Sequence, residues 1–353
     1  MDIKHEIIQD LKQVAIDLGH VPTRNEWVLN RLGKFTVHRI IQIFGSWNIA
    51  MHAAGLKPHR RGVSFNEKSI KVTPHKINAI TNKIRLDSFT IHIADLKSMF
   101  EACGNPNSLK LIAQPDTHTE YVDLNAINCF IKFIEWYEPH VHVILGDFLD
   151  AEGISHWPSS DRNPRRFVPE VIKARELLKR EVNATPGCKF RFFIVGNHCL
   201  WLEMAIAQKL PELFDGIDEL GLDLNISKLL DLEKFGFQEI PFNHFLRIGK
   251  ANFTHGIYTT DNHPKKHLEV VKDNIYYGHL HDTKSYNSTT MNGPIEAASL
   301  GCLCRLDAKF LKGRPNTWVH AFGIFEFFRD GSYSFYCPKI INGKLSFMGK
   351  IFE

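Results

Sequence analysis

Metal-type ligands recur in five short clusters, each directly after an apolar run. Asp116 and His118 follow Leu109–Ala113, and Asp147 and Asp150 follow Val141–Leu145. Asn197 and His198 follow Phe190–Val195, His255 follows Ala251–Thr254, and His279 and His281 follow Ile275–Tyr277. Carboxylate and amide oxygens mixed with imidazole nitrogens suit Mn, Fe, Zn or Ni better than a thiol-rich or all-oxygen shell would. Two such ions about 3.5–4 Å apart activate water and polarise phosphate oxygens, so the chemistry these residues could carry is hydrolysis of a phosphate ester.

Ligands this far apart in sequence meet only if each stands at the C-terminal end of a strand beside the others. From Leu109 onward, apolar runs alternate with helical stretches at Asn125–Tyr137, Pro169–Val182 and Leu200–Leu213. That βαβ rhythm predicts an α/β domain. After Gly278 the pattern turns mostly to strands: Trp318–Phe328, Tyr333–Pro338 and Ile340–Phe352, with hairpin signals at Asp330-Gly331 and Asn342-Gly343. Glycines before Asp147, Asn197 and His279 permit tight strand-to-helix turns. Residues 63–107 mix Lys, Ile and Thr with weak periodicity and read as a connector with some structure of its own, helical over Ile91–Cys103.

In order, the motifs are Asp116-x-His118, Gly146-Asp147-x-x-Asp150, Gly196-Asn197-His198, Thr254-His255-Gly256 and Gly278-His279-x-His281. This series resembles the calcineurin-like metallophosphoesterase superfamily over residues 108–353. The segments Gly301-Cys302-Leu303-Cys304, Asn316-Thr317-Trp318 and Gly343-Lys344 resemble the tail of its phage-type members. The resemblance implies a two-sheet α/β sandwich flanked by helices. It implies that Asp116, His118 and His281 bind one divalent metal, that Asn197, His255 and His279 bind a second, and that Asp147 bridges them. Manganese is the expected ion, with Fe, Zn or Ni as alternatives. His198 would face the scissile phosphate, stabilising charge or protonating the leaving oxygen, and Asp150 would support the Asp147 turn. The family usually places an acid after the Asn-His pair to orient that His; here the position is Cys199, with Glu203 further on as a substitute. A thiol is a weak hydrogen-bond partner and carries no fixed charge. His244, His263 and His267 read as ordinary satisfied histidines.

The N-terminal part has a different character. Residues 1–90 hold 14 Lys/Arg against 7 Asp/Glu, about +7, which leaves the remainder about −3 of the total +4. Residues 31–61 contain Arg31, Lys34, Arg39, Lys57, Arg60 and Arg61 and no acid. Ile7, Ile8, Leu11, Val14, Ala15 and Leu18 share one helical face. Three more short helices are expected: one opened by Thr23 with Glu26 as a capping box, one from Thr36 to Phe44, and Trp47–Ala54. Leu18-Gly19-His20-Val21-Pro22-Thr23-Arg24 and Ile43-Phe44-Gly45-Ser46-Trp47-Asn48 resemble the helical DNA-binding repeat associated with homing endonucleases. The six basic residues would then contact DNA, the third helix entering a major groove and Lys57, Arg60 and Arg61 forming a phosphate arm. Trp47 and Phe44 belong to its core.

The expected organisation is therefore a helical DNA-binding module at 1–62, a connector at 63–107 and a phosphoesterase domain at 108–353. Composition bounds the rest. Hydrophobic residues make up 44% and charged ones 23%, an ordinary globular balance. No apolar run approaches the 18 or so residues of a membrane span, and Met1–His20 lacks a signal-peptide core. Seven cysteines without a regular framework suggest reduced thiols, hence a cytoplasmic setting, the host cytoplasm if the chain is phage-encoded. Oligomeric state is not legible. The leading functional expectation is a metal-dependent DNA nuclease. A phosphomonoesterase acting on nucleotides or phosphoproteins, and a DNA-binding protein with an inactive site, are the alternatives, since one scaffold hosts many activities.

Overall fold

A computed structural model describes residues 3–18, 21–22, 27, 33–44, 47–56, 81–86, 89–154, 167–209, 225–308, 311 and 313–353. The chain divides into two compact units, one N-terminal and one carrying both large sheets.

The first unit contains helices α1 (Ile3–Leu18), α2 (Val37–Phe44) and α3 (Trp47–Ala53). Helix α1 buries Ile7, Leu11, Val14 and Ala15, the stripe its spacing predicts. They close on Ile40, Ala50, Met51 and a pair of tryptophans, Trp27 and Trp47, which meet edge to face at 5.4 Å. The Trp27 indole also donates to the Phe35 carbonyl at 2.8 Å. Asp10 accepts from the Lys34 backbone N–H at 2.6 Å, tying α1 to the segment before α2. The capping box at Thr23 and Glu26 lies outside the described residues.

In the second unit, one sheet has six strands: β3 (Leu109–Gln114), β4 (Val141–Ile144), β5 (Phe190–Ile194), β6 (Phe237–Ile240), β12 (Gly323–Phe327) and β13 (Tyr333–Tyr336), in the order β13-β12-β3-β4-β5-β6. Strands β3 to β6 are parallel, and β12 adds antiparallel to β3. The other sheet has seven: β1 (Thr81–Leu86), β2 (Phe89–Ala94), β7 (Phe245–Ile248), β8 (Ala251–Thr254), β9 (Ile275–Tyr277), β10 (Ser285–Thr290) and β11 (Gly293–Ser299), in the order β1-β2-β7-β8-β9-β11-β10. A hairpin of β14 (Leu345–Phe347) and β15 (Lys350–Phe352) completes the strands.

Alternation within single strands explains the layers. Leu111, Val143 and Phe192 point to the face shared with Leu246, Phe253 and Tyr276 of the other sheet. Ile112, Ile144 and Phe193 point the opposite way, onto helices α5 (Leu124–Tyr137) and α6 (Phe167–Ala184) through Phe130, Ile134 and Leu178. Strands buried on both faces read as mostly apolar runs, and here only Lys110, His142 and Arg191 break them before the strand ends. Helix α9 (His263–Val271) covers the outer face of the seven-stranded sheet through Leu268. The architecture is the expected two-sheet α/β sandwich flanked by helices.

The stretch 81–102, inside the expected connector, holds β1, β2 and helix α4 (Leu96–Ala102), and β2 hydrogen-bonds in register with β7. The helix expected over Ile91–Cys103 therefore starts later, because Asp95 caps it by accepting from the Lys97 and Ser98 N–H groups. Helix α7 (Trp201–Lys209) matches the start of the expected Leu200–Leu213, whose remainder lies outside the described residues; α8 is Ile226–Leu229. Asn342-Gly343 turns with φ of 51° and 74° and closes the Ile341–Lys344 bridge, as a type I′ turn requires. Among the described residues no helix is long and apolar enough to cross a membrane.

Candidate metal centre

The five clusters stand at strand ends, three on one sheet and two on the other. Asp116 and His118 follow β3, Asp147 and Asp150 follow β4, and Asn197 and His198 follow β5, neighbours in the six-stranded sheet. His255 follows β8 and His279 and His281 follow β9, neighbours in the seven-stranded sheet. The His118 N–H donates to the Asp147 carbonyl at 2.9 Å, and the Gly278 N–H to the His255 carbonyl at 2.9 Å, so adjacent loops are tied to one another.

The side chains converge in two groups. In the first, His281 Nε2 is 3.1 Å from Asp116 Oδ2 and 3.3 Å from His118 Nε2. In the second, His255 Nε2 is 3.1 Å from Asp147 Oδ2 and 2.9 Å from Asn197 Oδ1, and Asp147, His255 and His279 each offer a ligand atom, all within 4.8 Å of one another. Asp116, His118, Asp147, His255 and His281 are all buried.

Each carboxylate is held by one oxygen and presents the other. Asp116 Oδ1 accepts the His279 N–H at 2.7 Å, and Asp147 Oδ1 accepts the His198 N–H at 2.9 Å. Such close approach needs bare backbone. A Cβ on Gly278 would lie 2.2 Å from Asp116 Oδ1, and one on Gly196 would lie 2.2 Å from Asp147 Oδ1. Glycine serves here for room as well as for the turn. His118, Asp147, His279 and His281 have φ of 43°, 39°, 67° and 61°, left-handed values that non-glycine residues adopt only when their surroundings impose them.

The imidazoles are oriented from behind. His118 Nδ1 lies 2.9 Å from the Asp150 carboxylate, and His255 Nδ1 lies 2.8 Å from the Leu145 carbonyl. Both partners only accept, so each Nδ1 carries the hydrogen and each Nε2 faces inward as a lone pair. His281 Nδ1 faces Cys304 Sγ at 3.8 Å. His255 Nε2, Asn197 Oδ1 and Asp147 Oδ2 thus bring three acceptor atoms together. A cation resolves that arrangement; without one, a proton must. Burial disfavours protonation of His118 and His255, yet Asp150 beside the first and Asp147 beside the second outweigh it and push both up to about 9. Burial likewise opposes ionisation of Asp116 and Asp147, but His281 and His255 hold both below the usual carboxylate range. The donors fit a nitrogen- and oxygen-preferring divalent ion.

His198 stands at the rim. Its Nδ1 is 2.6 Å from the Asp150 backbone carbonyl, its Nε2 is 3.9 Å from Asp147 Oδ2, and its ring stacks on Trp201 at 3.8 Å. Burial pulls its pKa down, which favours the neutral ring. The Cys199 thiol is buried in the apolar cluster with Phe148 and Leu149, and burial, helped by the Asp147 charge, pushes it far above its ordinary range. The carbonyl and the indole hold His198 where an acid would be expected. A carbonyl partner has no sequence signature, although Trp201 three residues on was a visible cue. The side chain of Glu203 lies outside the described residues.

Of the six expected DNA contacts, Lys34 and Arg39 are exposed, and Arg39 donates to Gln42 at 2.8 Å. Arg31, Lys57, Arg60 and Arg61 lie outside the described residues.

Residues 3–57 match the family model of the homing endonuclease associated repeat. No curated protein matches the chain. Among solved structures it is similar to a single mutant of Vps29 from Entamoeba histolytica, at 9% identity over 67% of this chain and 96% of that one, TM-score 0.36. It is also similar to Yfce, a phosphoesterase from E. coli, at 16% identity over 64% of this chain and 98% of that one, TM-score 0.30. A third is a predicted phosphoesterase from Streptococcus pneumoniae TIGR4, at 12% identity over 65% and 98%, TM-score 0.28.

Proposed function

We propose that the chain is a dimetal phosphodiesterase that hydrolyses DNA. The observation that carries the metal half is the meeting of His255 Nε2, Asn197 Oδ1 and Asp147 Oδ2, three acceptors in a buried space. The DNA half rests on the match of residues 3–57 to a repeat associated with homing endonucleases, together with the acid-free basic stretch 31–61.

Asp116, His118 and His281 would hold one ion, and Asn197, His255 and His279 the other. Asp147 would be shared between them; its Oδ1 accepts the His198 N–H and its Oδ2 faces His255. Manganese is the proposed ion, with Fe, Zn and Ni compatible with the same donors. When bound, the pair supplies Lewis-acid polarisation of a phosphate oxygen and an activated water.

His198 is the proposed catalytic residue. Its Nδ1–H is committed to the Asp150 carbonyl, so Nε2 bears the lone pair in the neutral ring. Nε2 therefore accepts a proton or hydrogen bond first, and it protonates a leaving oxygen only after taking up that proton. Asp150 serves twice, through its carboxylate to His118 and its carbonyl to His198.

The test is cleavage of single-stranded, double-stranded and circular DNA by the Mn-loaded protein at low salt, beside a simple phosphodiester and a phosphomonoester. DNA cleavage that Asp147→Asn abolishes is expected. Hydrolysis of the simple diester with all three DNAs intact overturns the substrate, preference for the monoester reassigns it to a phosphomonoesterase, and no hydrolysis at all overturns the enzyme.

A further inference from the structure

We infer that helix α9 is a two-point clamp on the metal centre, with His263 and His267 as positioning residues that hold the loops carrying His255, His279 and His281. The inference rests on the metal reading above and assigns work to two histidines that the sequence marked as ordinary. Histidines four residues apart on one helix face have the spacing of a metal-binding pair themselves. Here all four ring nitrogens are engaged within the protein.

His263 ties together both ends of one turn. Its Nε2 is 3.1 Å from Asp282 Oδ2, a carboxylate that only accepts, so Nε2 donates and Nδ1 accepts from the Tyr277 hydroxyl at 2.8 Å. Tyr277 ends β9 and Asp282 directly follows His281, so the tie spans the turn in which His279 and His281 are both left-handed. Ser299 holds the second oxygen of Asp282 at 2.5 Å. Two unfavourable backbone conformations in one short turn persist only if the turn is pinned from outside.

His267 pins the other loop. Its Nδ1 donates to the His263 carbonyl at 2.7 Å, which leaves Nε2 to accept the backbone N–H groups of Ile257 at 3.0 Å and Tyr258 at 3.3 Å. These residues lie two and three positions after His255. The His267 ring also stacks on Tyr277 at 4.0 Å, linking the two anchor points. One helix thus sets the position of ligands proposed for both ions.

The experiment uses full-length protein stripped of metal. Mn binding is measured by calorimetry, and amide exchange at Ile257 and Tyr258 is followed in the metal-free state, for wild type, His267→Leu and His267→Gln. Glutamine keeps an acceptor near the Nε2 position and leucine removes it. For His267→Leu the expected results are affinity weaker by tenfold or more, the scale for loss of a group that orients a ligand, and faster exchange at both amides. Glutamine is expected to restore most of each. Wild-type affinity and protection in His267→Leu, or a glutamine variant as impaired as the leucine one, overturns the clamp. Should His267→Leu fail to fold, His267→Asn, too short to reach the two N–H groups, takes its place against His267→Gln with the same expectations. Wild-type protein that binds no Mn overturns the metal reading instead, and the exchange data still decide whether α9 pins the loop.

Discussion

His198 Nδ1 lies 2.6 Å from the backbone carbonyl oxygen of Asp150. A carbonyl cannot be deleted by substitution and carries no charge to titrate, so the orientation of this histidine is insulated from the identity of residue 199. Cys199→Ala is expected to leave the pH profile of hydrolysis unchanged and to lower stability by about 1 kcal/mol for the lost sulfur contacts. Cys199→Asp, which puts an acid directly after His198, is expected to lower stability by roughly 2 kcal/mol or more, because it buries a carboxyl among Phe148, Leu149 and their neighbours. Denaturant melts and a pH–rate series check both; a gain in activity from Cys199→Asp would contradict the carbonyl's role.

Gly278→Ala is expected to damage the first ligand group more than the second. The added Cβ would lie 2.2 Å from Asp116 Oδ1, the oxygen that accepts the His279 N–H. The carboxylate must then move, and Mn affinity at the Asp116–His118–His281 group should fall about tenfold or more. A two-site titration separates the groups, and two equally weakened sites would show that the damage is not local.

Glu181 provides a pH signature of folding. It is fully buried, and its Oε1 accepts from Gln114 at 2.9 Å while Oε2 has no partner among the described residues. Burial pushes its pKa up to about 8 from 4.5, with Gln114 and Arg180 opposing. Between these values the folded chain keeps a proton that the unfolded chain releases. The group's stabilising contribution is therefore complete below about pH 4.5 and is lost as pH rises through about 8, at roughly 1.4 kcal/mol per pH unit. Glu181→Gln should flatten that slope in melts from pH 5 to 8 and raise stability at pH 8. An unchanged slope would place the titration elsewhere.

Lys34→Ala with Arg39→Ala is expected to weaken DNA binding uniformly across sequences while leaving hydrolysis of a simple phosphodiester unchanged. Two lost phosphate contacts should lower the slope of log affinity against log salt by about 2. Binding isotherms at several salt concentrations give the slope, and an unaltered slope would remove these two residues from the interface.

The ligand clusters were legible because of where they sit. Strands β3, β4 and β5 are buried on both faces over most of their length, so Asp116, Asp147 and Asn197 stand just beyond mostly apolar runs and are not the polar face of an amphipathic strand. What escaped was either carried by backbone or disguised by type. The Asp150 and Leu145 carbonyls that orient His198 and His255 have no residue identity to read. His263 and His267 have the right spacing for ligands and act instead through hydrogen bonds to partners that only the fold supplies. Strand β1 escaped because Thr81, Asn82, Lys83 and Arg85 outnumber its two apolar residues, Ile84 and Leu86, as suits a strand at a sheet edge.

The pairing of β12 with β3, Gly323 opposite Ala113, also sets a timetable. His118 meets His281, 163 residues later, and β3, already beside β4, gains its second neighbour only with β12. Chains fold from the N-terminus as they leave the ribosome. The segment 3–57 is therefore complete while the candidate metal centre still has no second half. Under the function proposed above, a nascent or prematurely terminated chain would hold DNA before it could cut it.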